Sequence, residues 1–140
     1  MIGPTSNFPN LPNDPGRVTS PTDNRYNCIA WAFDDNTRWW WPHKFSYWPL
    51  PLTNNDSVSQ AFQIWMTADG WIATQNDQPE PGFKKVALYG IEGVPTHAAR
   101  LLSNGWWTSK MGSHVDLAHH LIELCGPEYG TILEIFKKPI

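Results

Sequence analysis

"THAARLLSNGWWTSKM", residues 96 to 111, sets two runs of mixed apolar and polar residues on either side of Ser-Asn-Gly. Runs of this kind around a Gly-containing break predict a β-hairpin. With Asn104 and Gly105 as a two-residue turn, Lys110 pairs with Ala99 and Gly112 lies opposite His97. That register places Lys110 on the face of His97 and Ser109 on the other. Just upstream, "KKVALYGIEG" (84–93) reads as a strand followed by a turn, and downstream "YGTILEIFKK" (129–138) reads as a last strand. Between them, "SHVDLAHHLIELCG" (113–126) is predicted as a helix that ends at Gly126, with Ser113 and Asp116 fitting a capping box. The second half is therefore expected to be an antiparallel meander interrupted by one helix.

The first half has a different texture. Residues 1 to 25 hold five Pro and almost no apolar pattern, so residues 1–23 are expected to form an irregular arm and residues 24–140 a single domain. "NRYNCIAWAFDD" (24–35) predicts a short helix, apolar nearly all round and hence buried, with Asn24 or Asn27 as its cap. "TRWWWPHKFSYWPLPLTNN" (37–55) is an aromatic loop, because Pro42, Pro49 and Pro51 forbid a regular element. At least two of Trp39, Trp40, Trp41 and Trp48 are expected to anchor it in the core. "DSVSQAFQIWMTADGW" (56–71) is an amphipathic helix. Val58, Ala61, Phe62, Trp65 and Met66 share one face, Asp56 or Ser57 caps it and Gly70 stops it.

Composition narrows the functional classes. The chain has 140 residues, 41% hydrophobic and 16% charged, with nine Trp, 13 Pro and a net charge of −3. Few charges and many aromatics argue for a packed domain rather than disorder. No basic surface is implied, so nucleic acid is not expected as a partner. No apolar run approaches the length of a membrane helix and no secretory signal opens the sequence, which points to a cytoplasmic protein. The Asp116, His119 and His120 group lacks the companions of a zinc motif, so no metal and no cofactor is expected.

The chemistry centres on Cys28, one of two cysteines. At the start of a helix a Cys is either a small buried hydrophobe or a nucleophile whose thiolate the backbone N–H groups stabilise. A nucleophilic thiol needs a base, and His97 is the best placed of the five histidines. A third group must hold the imidazole. Asp116 is the first candidate and Ser109 the second. Asn24 and Asn27, with the Cys28 backbone N–H, are candidates for binding an oxyanion. Trp40 and Trp48 are candidates for lining the substrate cleft.

A Cys opening a buried helix, followed by a meander with a His on one strand and a polar group near the next, resembles the papain-like fold in its compact NlpC-type form. That resemblance implies an α+β fold with the Cys-bearing helix packed on a small antiparallel sheet, and a Cys28–His97 catalytic pair. The blocks "NCIAWA", "RWWWP", "PTHAAR" and "WTSKMG" also resemble an uncharacterised group of small bacterial proteins that carry them in the same order. The expected function is a cysteine hydrolase (peptidase, amidase or deamidase) acting on a peptide or other amide-bearing substrate. The competing expectation is a non-catalytic binding module, or an effector domain, with the Trp-rich loop as its contact surface.

Overall fold

The computed structural model describes residues 8–12, 14–43, 46–52, 57–111 and 115–140. Asp56, Gly112, Ser113 and His114 lie outside the described residues. Seven antiparallel strands form one sheet in the order β1-β6-β5-β4-β3-β7-β2. They are β1 Val18–Ser20, β2 Ile72–Thr74, β3 Phe83–Ile91, β4 Val94–Leu101, β5 Trp107–Lys110, β6 Asp116–His119 and β7 Thr131–Pro139. Among the described residues two α-helices accompany it, α1 Cys28–Ala32 and α2 Val58–Ala68.

This corrects the expected papain-like architecture. The molecule is mostly sheet, and the strands are not a small addition to a helical unit. Two segments account for the difference. The predicted helix at 113–126 instead contains β6 and a short 3₁₀ turn, Leu121–Leu124. Within β6 the side chains alternate, so that Leu117 enters the core on one face while Asp116 and Ala118 belong to the other. The lead-in is not wholly irregular either, because β1 pairs with β6.

Sequence explains the regular elements. Ser57 and Gln60 close a capping box at the start of α2, and Ala61, Phe62, Trp65 and Met66 are its buried face. β3 is buried on both faces along most of its length, as its unbroken apolar run requires of a central strand. Glu92 and Gly93 both have positive φ and turn β3 into β4 in two residues. The β4–β5 connection is longer than predicted. The Leu102 N–H donates to the Trp106 carbonyl at 2.8 Å, which leaves Ser103, Asn104 and Gly105 as a three-residue loop. Gly105 has φ +93°, the left-handed conformation such a loop demands. Arg100 therefore pairs with Thr108 and Leu101 with Trp107.

The sheet separates two cores. Under α1, α2 and the aromatic loop lie Val86, Leu88 and Ala98, with Ile29, Phe62, Trp65, Trp40 and Trp48. On the other side Ala87, Tyr89, Ala99, Trp107 and Leu117 pack against the 3₁₀ turn and Leu11. Among the described residues no helix is long and apolar enough to cross a membrane.

Candidate active site

The β4–β5 ladder ends at Arg100–Thr108, whereas β5 stays paired to β6 as far as Lys110–Asp116. The two strands thus part beside His97, Ala98 and Lys110. α1 packs against both β4 and β5. Its first residue is Cys28, whose thiolate the nearby backbone N–H groups of Ala98, Ile29 and Cys28 itself would favour. The sulphur thus lies near Ala98, whose side chain belongs to the α1 core, whereas the preceding residue, His97, turns its imidazole to the opposite face of β4 beside Tyr89 and Ser109. No hydrogen bond joins them in this structure.

Cys28 is only 9% exposed. Burial pushes its thiol up to about 11, against the pull of those N–H groups and of the Lys110 charge. The expected helix-stabilised thiolate is thus not the resting state. A five-residue helix presents few aligned peptide dipoles, and desolvation outweighs them.

His97 belongs to a buried polar chain. Its Nε2 lies 2.9 Å from the Ser109 hydroxyl, and the same hydroxyl lies 2.7 Å from His119 Nε2. His119 Nδ1 is 2.9 Å from the His120 carbonyl. Protons can be assigned along this chain from its fixed end. The His120 carbonyl only accepts, so His119 Nδ1 carries the hydrogen. Burial holds His119 neutral, down to about 4, so its Nε2 is a bare acceptor. The Ser109 hydroxyl must then donate to it and is free to accept from His97 Nε2–H. Burial, and the neighbouring His119, hold His97 well below the usual imidazole range, so it too is neutral. Its Nδ1 is left as a bare lone pair, buried and without a hydrogen-bond partner. Tyr129 stacks on the ring at 3.9 Å and fixes its plane. Burial raises the Tyr129 phenol.

Asp116 stands elsewhere. Its Oδ2 accepts from the Tyr26 hydroxyl at 2.8 Å, and its Cα partner across the ladder is Lys110. Burial raises this carboxyl, while the Tyr26 hydrogen bond opposes the shift. The Ser20 hydroxyl also favours the charged form, though it does not meet hydrogen-bond geometry at Oδ1. The structure thus brings together His97 and Ser109, and sets Asp116 beside Tyr26 and Lys110. It adds His119, which the sequence reading had assigned to a helix. The alternation of Leu117 and His119 was the available signal.

The Asn27 side chain makes three hydrogen bonds. Its Oδ1 accepts from the backbone N–H groups of Ala30 and Trp40, at 3.1 and 3.0 Å, and its Nδ2 donates to the Trp40 carbonyl at 2.8 Å. It caps α1 and pins the aromatic loop to it. Asn27→Ala is expected to cost about 2–3 kcal/mol, since a cap and buried backbone partners are lost together. The shift of a urea midpoint against wild type measures this, and Asn27→Ser should recover part of it. Asn24 is exposed, and its carbonyl accepts from Trp39 Nε1. Trp40 and Trp48 are 7% and 9% exposed and lie in the core, whereas Trp39 is 44% exposed.

Residues 17–137 match a family described as "Domain of unknown function (DUF7689)". The chain belongs to this family. No curated protein matches it, and no solved structure does.

Proposed function

We propose that this DUF7689 domain is a cysteine hydrolase of amide bonds, with Cys28 as nucleophile and His97 as base. The observation that carries this reading is the orphaned Nδ1 of His97. One ring nitrogen is tied through Ser109 to His119, while the other is an unshared lone pair, on the residue preceding Ala98, whose backbone N–H favours the Cys28 thiolate. A base oriented through its far ring nitrogen and a nucleophilic thiol are the parts that acyl transfer requires. Ser109 and His119 are positioning residues, since they act on His97.

Both partners rest neutral, so the proton moves during attack. The Cys28 sulphur bonds to the substrate carbonyl carbon as its hydrogen passes to His97 Nδ1. The imidazolium then gives that proton to the leaving nitrogen, the C–N bond breaks and a thioester remains. Water attacks the thioester, loses a proton to Nδ1, and releases a carboxylic acid and the free thiol. The Ser109–His119 chain keeps Nε2 protonated throughout and stabilises the imidazolium as it forms.

The test is covalent labelling with a peptide aldehyde or vinyl sulfone at neutral pH, read by mass spectrometry. Cys28 is expected to react at least about a hundredfold faster than Cys125, and to lose about that factor in a folded His97→Ala variant. Asp116→Asn should leave the rate within a few fold. Equal, slow labelling of both cysteines, or unchanged labelling in His97→Ala, overturns the reading.

A further inference from the structure

His97 is completely buried, but Tyr129, the ring stacked on it, is only half-buried. The other aromatic neighbour, Tyr89, meets the imidazole edge-on at 5.5 Å and belongs to the central strand β3. Tyr129 belongs to no regular element. It lies in the loop 126–130, which leads from the 3₁₀ turn into β7.

The backbone of this loop is pinned. Gly126 and Gly130 each donate an N–H to the other's carbonyl, at 2.9 and 2.7 Å. Gly130 has φ +81°, and a Cβ there would overlap the Gly90 carbonyl, so the loop sits flush on β3. The Thr96 hydroxyl donates to the Tyr129 carbonyl at 2.6 Å. What can move is therefore the Tyr129 ring, by changing rotamer.

The lead-in bears on that ring. Phe8 meets it at 5.2 Å, tilted by 60°. Asn10 Nδ2 donates to the Cys125 carbonyl, at the entrance to the loop, at 3.1 Å and in an exposed position. Leu11 is 2% exposed and anchors the lead-in in the core of this face. Further along, Arg17 grips both Glu123 carboxylate oxygens, at 2.8 and 3.4 Å, and β1 joins β6. The lead-in is thus fastened firmly downstream, and among the described residues it is joined to the Tyr129 loop through side chains. A segment held in this way opens at much lower free energy than a strand in the ladder.

We propose that the Tyr129 ring is a gate over His97 and that Phe8 and Asn10 are the latch that keeps it shut. Lifting them while Leu11 stays anchored frees the ring to swing and uncovers the imidazole. Resting on the reading of His97 as base, the lead-in is an inhibitory strap supplied by the chain itself, and its release opens the site.

The experiment is acylation of the whole chain with diethyl pyrocarbonate, which attacks neutral imidazoles, resolved by site in a mass spectrometer. In Phe8→Ala/Asn10→Ala, His97 should react at least about tenfold faster than in wild type, as its cover opens locally. His119, equally buried on β6, is the control and should stay protected. Phe8→Tyr, which keeps a ring against Tyr129, should retain the wild-type rate. An unchanged His97 rate in the double variant overturns the gate. So does a parallel rise at His97 and His119, which marks general loosening. Labelling of Cys28 by the vinyl sulfone is followed alongside and should quicken with His97. Faster acylation of His97 without labelling of Cys28 keeps the gate and removes the hydrolase. Labelling of Cys28 with His97 still protected in the double variant keeps the hydrolase and overturns the gate.

Discussion

Lowering the pH from 7 to 4 is expected to cost this domain about 3 kcal/mol of stability through His119 alone. Burial depresses His119 from 6.5 to about 4 in the folded chain, while the unfolded chain keeps an ordinary imidazole. The unfolded state therefore takes up the proton first. The His119 contribution is complete above pH 6.5 and is lost as the pH falls towards 4, at about 1.4 kcal/mol per unit. His97 is depressed further and adds to the loss in the same direction. Asp116 has the opposite sign, because its raised carboxyl favours the folded state at low pH. Urea melts at pH 7, 5.5 and 4 measure the slope. In His119→Gln, which still offers an acceptor to Ser109, the slope between pH 6.5 and 4 should flatten markedly. If variant and wild type lose the same amount, the buried chain is not the source.

Trp40→Ala is expected to be the most damaging single truncation in the aromatic loop, at about 3–5 kcal/mol. Its ring stacks on Phe33 at 5.8 Å and meets Trp65 edge-on at 5.4 Å. Its indole N–H donates to Asp35 Oδ2 at 2.8 Å. Burial alone would raise the Asp35 carboxyl, but bonds from Thr37, Trp40 and Arg38 hold it well below the usual range. Removing the ring opens a cavity where α1, α2 and the loop meet, and strips a partner from a charged group. Trp39→Ala should cost less than about 1 kcal/mol, being largely exposed. Midpoints of urea melts decide. Equal shifts for the two variants would show that the loop does not hold the helices together.

A single residue of loop length separates what the sequence revealed about the site from what it hid. The hairpin around Ser103–Gly105 was legible from its turn residues, as were β3, β7, α2 and the Asn27 cap. Its register was not. A two-residue turn pairs Lys110 with Ala99, whereas the three-residue loop places Lys110 two positions beyond the Arg100–Thr108 pair. One step reverses every side chain across the sheet. Ser109 thereby joins His97, and Lys110 moves to the Cys28 face. Both "NG" and "SNG" suit a hairpin, and local chemistry does not choose between them. The β6 segment was misread for a related reason. Its two consecutive histidines and spaced leucines match a helical period as well as a strand, and only pairing with β5 settles which is used. The papain-like expectation rested on the order of a Cys-bearing helix and a meander carrying His97, and that order does not fix how many strands the sheet has.

The two outermost strands of the sheet, β1 and β2, have three residues each. Brief borders of this kind give another chain little to add a strand to. The β1 border comes from the lead-in that the sequence led one to expect as an irregular arm. A shortened protein starting at Asn24 would bare the outer edge of β6, next to the buried histidine chain. Such a product would invite chain-to-chain strand addition and deposit from solution, even with Cys28 and His97 both present. Recombinant versions intended for biochemistry therefore need to begin upstream of Pro15.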